Sequence, residues 1–416
     1  METQTDLPER FRYLPGFQIM PYLRLRQVAT PDDPLDLVKG GRLDHVEVAY
    51  ETYGSLSPEK DNAILLCHAL TGDSHPAAHY QDDREGWWED LVGPGQLLDT
   101  ERFFIICPNV LGGCRGTTGP ASPNPATGKP YGASFPVVTI RDMVHVQKRL
   151  LDQLGITKLV MVVGGSMGGM QALEWATTYP EVAAGVAVIA APGYTTAQGI
   201  AYNDAGRRAI LLDPEYRGGD YYGGPGPVQG MTLARAVGMI TYQSEESMTR
   251  KFNRRTRDGR FEIEHYLDYQ GDCLVKRFDA NSYLCLIRAI DLFDLADGRS
   301  SYQAALAAVK AKMMIVGVSS DILYPVHQQR QLSVEMARQG ARVVVFREIE
   351  SAHGHDGFLI DFPKLADILG PFIETVTIKS RPWYQKRFSA SRMAYYGAVM
   401  PADREFTSLD RTGAFP

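Results

Sequence analysis

The residues with the clearest chemical content lie in KLVMVVGGSMGGMQALEW, residues 158–175. An apolar run leads into Gly164, Gly165, Ser166, Met167, Gly168 and Gly169, and an amphipathic helical pattern follows. A serine on a tight turn between a buried strand and a helix needs small neighbours so that backbones can approach. The helix N-terminus then favours negative charge developing beside it. The spacing fits G-x-S-x-G and makes Ser166 the candidate nucleophile. A phosphate-binding loop is the competing reading, but no glycine–lysine pair follows and Met167 breaks a G-x-G-x-x-G spacing.

A nucleophilic serine needs a base, and the base needs an orienting carboxylate. The apolar run AKMMIVGVSSD (311–321) ends at Asp321, just past a strand, where such an acid belongs. The next run, ARVVVFREIES (341–351), leads into SAHGHDGFL and offers His353 and His355. Spacing alone leaves both histidines open as the base. His45, His68, His75, His79, His145, His265 and His327 read as structural or loop residues, with His68 and His75 close enough to the loop after NAILLCHAL (62–70) to shape it. Acyl transfer also needs donors for an oxyanion. The N–H of Met167, directly after the nucleophile, is one candidate, and that of Leu70, leaving the strand, is the other. Cys114, in the long Gly/Pro-rich loop 109–136, is a weaker nucleophile candidate because no histidine or aspartate accompanies it.

These residues need a scaffold. HVEVAYETYG (45–54), NAILLCHAL (62–70), RFFIICPNV (102–110), KLVMVVGGS (158–166), VAAGVAVIAAP (182–192), AKMMIVGVSSD and ARVVVFREIES read as strands, several apolar throughout. Strands covered on both faces look like this. IRDMVHVQKRLLDQLG (140–155) has helical spacing, with Gly155 placed to stop it. Alternating strands and helices predict a mostly parallel sheet flanked by helices. The rhythm breaks over 193–300, which reads as a helical insertion over the sheet's carboxyl edge, including TLARAVGMITYQ (232–243). The expected division is a core of 15–192 and 301–378, a lid of 193–300, and a C-terminal extension of 379–416 whose basic, aromatic front half has no assigned role. Trp383, Tyr384, Lys386, Arg387 and Arg392 lie in that extension.

Composition bounds the rest. The 416 residues are 44% hydrophobic and 22% charged, which excludes wholesale disorder. Forty-three Lys+Arg against 49 Asp+Glu leave a formal net charge of −6, which argues against a nucleic-acid binder. METQTDLPERFRYLPG has no apolar stretch behind a basic segment, so no secretory signal is expected, and no run is long enough to span a membrane. Five cysteines without a CxxC pair fit reduced thiols and a cytoplasmic location.

Taken together, HALTGDSH (68–75), NVLGGCRGTTGP (109–120), NPATGKPYGASFP (124–136), GGSMGGMQALEW (164–175), SSDILYP (319–325) and GHDGFL (354–359) resemble the homoserine O-acetyltransferases, a branch of the α/β-hydrolase fold. The resemblance runs in consistent order over roughly residues 15–378. It implies acetyl transfer from acetyl-CoA to the hydroxyl of L-homoserine through an acyl-serine, in methionine biosynthesis. It selects His355, the histidine of GHD, as the base. It also implies substrate contacts at Thr71, Arg235, Tyr242 and Asp356, with no metal, no cofactor beyond the CoA substrate, and a homodimer. Arg235 and Tyr242 are seven apart in a helical pattern and so share a face. An arginine can grip a carboxylate through two bonds, and Asp356, beside the base, is placed to pair with an ammonium. Succinyl-using relatives tend to carry an arginine shortly after the acid; here that stretch is DILYP, with Leu323, which favours acetyl. His327 and Arg330 lie within reach of the pocket on spacing alone. A serine-acylating relative, an esterase or thioesterase, and a non-catalytic binding protein of the same fold are the alternatives.

Overall fold

The computed structural model describes residues 11–341 and 343–377; the expected extension of 379–416 lies outside the described residues. The apolar runs form an eight-stranded sheet. Its strands are β1 (Arg24–Ala29), β2 (Val46–Tyr53), β3 (Ala63–Cys67), β4 (Phe104–Pro108), β5 (Leu159–Gly165), β6 (Ala183–Ile189), β7 (Lys312–Val318) and β8 (Val344–Ile349). Their spatial order is β1-β2-β4-β3-β5-β6-β7-β8. β2 runs antiparallel to β1 and β4, and every pairing from β4 to β8 is parallel.

β3 and β5 are buried at every position, as a parallel sheet covered on both faces requires. α1 (Ile140–Gln153) starts from a Thr139–Asp142 capping box, and Gly155 just past its end takes φ +70, the left-handed stop. α2 (Met167–Thr178) packs on β5 and β6, and α1 packs on α2. Phe11, Leu14 and Phe17 belong to the same core, so packing extends upstream of residue 15.

Two strands end earlier than their apolar runs. β3 stops at Cys67 and β7 at Val318, so His68–Gly72 and Ser319–Asp321 leave the sheet as loops over its carboxyl edge. Ligand sites of open α/β sheets form there. β1 is absent from the runs read in the sequence: RLRQVA is an edge strand, largely exposed in its first four residues, and carries no continuous apolar signal.

Between β6 and β7 the chain is helical: α3 (Ala197–Leu212), α4 (Val228–Tyr242), α5 (Glu245–Lys251), α6 (Glu262–Val275), α7 (Ala280–Asp291) and α8 (Tyr302–Ala307). A two-residue ladder, Thr256–Arg257 with Arg260–Phe261, interrupts them. α4 packs against both α3 and α6. No helix among the described residues is long and apolar enough to cross a membrane.

Candidate active site

β5 delivers the chain into a turn that only small residues can make. Ser166 caps α2 with φ 57 and ψ −124, a left-handed conformation that costs a non-glycine residue of order 1–3 kcal/mol. Close packing holds it there. A Cβ on Gly165 would lie 2.3 Å from the Phe358 ring, and one on Gly168 would lie 2.0 Å from the Cys67 carbonyl oxygen. The Ser166 N–H is tied to Ile189 O on β6 at 2.9 Å. The serine is thus presented on a rigid apex.

Of the two histidines that spacing leaves open, His355 is the one facing the acid. Its Nδ1 is 2.7 Å from Asp321 Oδ2, and Asp321 Oδ1 accepts from the N–H groups of Leu323 (2.8 Å) and Tyr324 (2.9 Å). Serine hydroxyls lace the two loops together: Ser319 and Ser320 donate to Ser351 O, and Ser320 Oγ accepts from Gly354 N–H. Rings of Tyr242, Tyr324 and Phe358 surround the imidazole, with centroids 5.3–6.0 Å away. His355 Nε2 is buried and has no hydrogen-bond partner among the described residues. Burial pushes the His355 pKa down, but the Asp321 charge, its hydrogen bond and the Asp356 charge together hold it above its ordinary value.

A cavity of about 240 Å³ opens above these groups and is lined by Ser166, His355, Leu70, Thr71, Arg235, Tyr242 and Asp356 among others. Asp321 sits behind His355, 4% exposed, and does not line it. Arg235 and Tyr242 share the inner face of α4, with the guanidinium 5.8 Å from the ring centroid. Among the described residues the Arg235 Nε is buried without a partner, and its Nη2 reaches Gln270 only at 3.4 Å. Burial raises the Asp356 pKa, against the lowering effects of His355, Arg235 and Lys251.

Met167 opens α2, and the first N–H groups of a helix have no intrahelical acceptor. Leu70 sits in the loop after β3, and its N–H donates to no backbone carbonyl outside regular elements among the described residues. His68 braces that loop. Its Nδ1 is 2.8 Å from Ala69 O, and its Nε2 accepts from Val110 N–H at 3.2 Å. Burial lowers its pKa and keeps the ring neutral, as two such unlike partners require.

The cavity also contains residues without a sequence-level signal. Arg277, between α6 and α7, and Trp87 both line it. Arg277 donates to Thr71 O at 2.8 Å. Neither belongs to a motif, because each acquires meaning only through contacts distant in the chain. His327 and Arg330 do not reach the cavity: both are exposed on α9 (Val326–Arg338), and Arg330 pairs with Glu348. The weaker nucleophile candidate, Cys114, is fully buried, and burial with the Asp279 charge pushes its thiol up to about 12. It remains a neutral thiol.

A strained serine elbow, a histidine–acid pair on the two following loops and this strand order define a protein of the α/β-hydrolase fold, and the family model for that fold matches residues 62–361. A homoserine O-acetyltransferase of Symbiobacterium thermophilum is 52% identical over 84% of this chain and 94% of its own length. The crystal structure of a homoserine O-acetyltransferase from Bacillus anthracis superposes with a TM-score of 0.78 at 29% identity, covering 87% of this chain and all of that one. A crystallised esterase matches with the same TM-score and identity over 84% of this chain and 99% of its own. The chain belongs to the homoserine O-acetyltransferase family.

Proposed function

We propose that the protein transfers the acetyl group of acetyl-CoA to the side-chain hydroxyl of L-homoserine, giving O-acetyl-L-homoserine and CoA for methionine biosynthesis, through an acetyl-Ser166 intermediate. The observation that carries the reading is one cavity lined both by Ser166 and His355 and by the charged set Arg235 and Asp356. A plain hydrolase has no need of that charged set.

In the first half-reaction His355 Nε2 takes the Ser166 hydroxyl proton as Oγ attacks the thioester carbonyl. Asp321 stabilises the imidazolium that forms. Backbone N–H groups of Leu70 and Met167 receive the oxyanion. Collapse expels CoA thiolate, which takes the proton from His355. L-homoserine then occupies the vacated space, its carboxylate on Arg235 and its ammonium on Asp356, with Thr71 and Tyr242 beside it. His355 removes the hydroxyl proton, the hydroxyl oxygen attacks the acetyl-serine carbonyl, and Ser166 leaves with the proton returned to it. Holding the acceptor in place gives the alcohol its advantage over water.

Leu323, rather than a cation, follows the acid and supports acetyl over succinyl as the acyl group. The helical stretch 193–300 serves as a lid, since α4 contributes Arg235 and Tyr242. The same proposal includes no cofactor beyond the CoA substrate, a homodimer and a cytoplasmic location. The first two rest on the family resemblance, and the last on unpaired cysteines and the absence of a long apolar segment. The decisive experiment measures CoA release from acetyl-CoA with and without L-homoserine, with product mass spectrometry. Homoserine-dependent CoA release with parallel initial-rate patterns is expected. Release indifferent to homoserine, as an esterase or thioesterase gives, overturns the proposal.

A further inference from the structure

The cavity holds more positive charge than one acceptor-binding arginine explains. Arg235 and Arg277 both line it. Neither forms an ion pair within 4.0 Å among the described residues, although Arg side chains elsewhere in the molecule, such as Arg141 and Arg299 on Glu174, do. Among the described residues Arg277 has one hydrogen bond, from Nη1 to the Thr71 carbonyl, and Arg235 has a long one to Gln270 with its Nε left unpartnered. Burial lowers the Arg277 pKa, and repulsion from Arg115 and Arg235 lowers it further, outweighing the opposing attraction of Asp73. Two guanidinium groups that repel each other, with no carboxylate within 4.0 Å among the described residues, are costly to keep beside a nucleophile. An anion arriving between them offsets the repulsion and gives the unpartnered Arg235 Nε an acceptor.

We propose that Arg277 is a second anchor for the acceptor's carboxylate, closing with Arg235 on its two oxygens while its Nη1 stays fixed to the Thr71 carbonyl. This rests on the homoserine reading above and names a residue that determines acceptor specificity. A guanidinium has five donors in a planar fork, so one bond to Thr71 leaves the rest of the fork for the ligand. The tie to Thr71 also places the anchor next to Leu70, so that the carboxylate end of the acceptor lies on the oxyanion-loop side of the cavity. The ammonium end lies toward Asp356.

The test is a cycle of two enzymes and two acceptors: wild type and Arg277→Gln, each with L-homoserine and with 3-aminopropan-1-ol, which is homoserine without its carboxylate. Loss of a charge-assisted bond predicts that Arg277→Gln lowers kcat/KM for homoserine about 10- to 100-fold, chiefly through KM. For 3-aminopropan-1-ol the two enzymes should agree within about threefold, because the partner of Arg277 is already missing. Arg277→Lys should fall between. The rate of acetyl-Ser166 formation from acetyl-CoA without acceptor should change less than about threefold. If that rate falls as far as transfer does, or both acceptors lose equally, Arg277 only holds the Thr71 loop and the anchor is overturned. CoA release that ignores homoserine in the wild type removes the homoserine reading itself, an outcome visible before any variant is made.

Discussion

His355 Nδ1 lies 2.7 Å from Asp321 Oδ2, while the opposite ring nitrogen, Nε2, is buried and without a partner among the described residues. Asp321 is itself fixed by the N–H groups of Leu323 and Tyr324, so the carboxylate cannot rotate away without breaking two bonds. The pair therefore presents a basic Nε2 in a defined tautomer. Asp321→Asn should preserve the fold and lower kcat by about 10⁴-fold, the loss expected when an amide imposes the wrong tautomer. Because the Asp321 charge helps hold His355 above its ordinary pKa of 6.5, acylation should fail on the acid side of a midpoint above 6.5 in the wild type. In the variant that midpoint should move down. Pre-steady-state acylation rates against pH read both effects; an unmoved acid limb would falsify the coupling.

The serine apex depends on absent side chains. Gly165→Ala would put a methyl 2.3 Å from the Phe358 ring, inside van der Waals contact, and overpacking of this kind costs about 1–3 kcal/mol. Phe358 also flanks His355, with ring centroids 5.7 Å apart, so the clash should disturb stability and catalysis together. Thermal melts of Gly165→Ala, Phe358→Leu and the double variant test this. The double variant is expected to recover most of the lost Tm; purely additive losses would show that the contact is not the cause.

A separate hub joins β2 to the segment that follows β3. Glu51 Oε2 receives Tyr53 Oη–H (3.0 Å), His75 Nδ1 (2.8 Å) and His79 Nε2 (2.9 Å), and His75 Nε2 faces Arg84 O at 2.8 Å. The three acid and imidazole ligand atoms lie within 4.8 Å of one another, a spacing that suits a metal. Yet each is already engaged in a hydrogen bond, and His75 has an acceptor at both nitrogens, which suits an imidazolium rather than a ligand. Burial raises the Glu51 pKa, but the His75 and His79 hydrogen bonds and the His75 charge overcome it and bring it to about 2. Burial lowers the His75 pKa, and Glu51 with the Arg84 carbonyl reverses that to a net rise above 6.5. The signs follow. Glu51 contributes stability above about pH 4.5 that is lost as pH falls toward about 2, and His75 contributes stability below 6.5 that is lost as pH rises through its folded value. Glu51→Gln should therefore destabilise by about 3–5 kcal/mol, most of all between those limits. Urea unfolding at three pH values measures it, and neither EDTA nor added zinc should shift the wild-type curve.

The chemistry that a reader can find in the sequence is the chemistry carried by local context. Ser166 stands out because its glycines flank it, and Asp321 because an apolar strand ends just before it. His353 and His355 cannot be separated by spacing: the choice depends on Gly354, φ +71, turning the chain so that only His355 meets the acid. Leu70 is proposed to act through its backbone, and for such a role its side chain gives no sign. Arg277 is invisible for another reason, since the carbonyl it holds lies 206 residues earlier. The fold shows the same division. Buried strands such as β3 and β5 announce themselves by apolar runs, while the edge strand β1, half in water, does not.

Asp356 makes two demands that one substitution can separate. Its carboxylate lines the cavity and also raises the pKa of His355 next to it. Burial raises its own pKa, against the lowering effects of His355, Arg235 and Lys251. Asp356→Asn keeps the size and removes the charge. If the carboxylate receives the ammonium of the acceptor, KM for homoserine should rise about 10- to 100-fold, the worth of a charge-assisted hydrogen bond. If it also tunes the base, the acid limb of acylation, measured without acceptor, should shift to lower pH, because one of the charges holding the imidazolium is gone. The first effect concerns only the second half-reaction and the second only the proton on His355, so stopped-flow acylation and steady-state transfer report them independently. A variant with unchanged homoserine KM but a shifted acid limb would confine Asp356 to the base, and the ammonium site would then have to be sought elsewhere in the cavity.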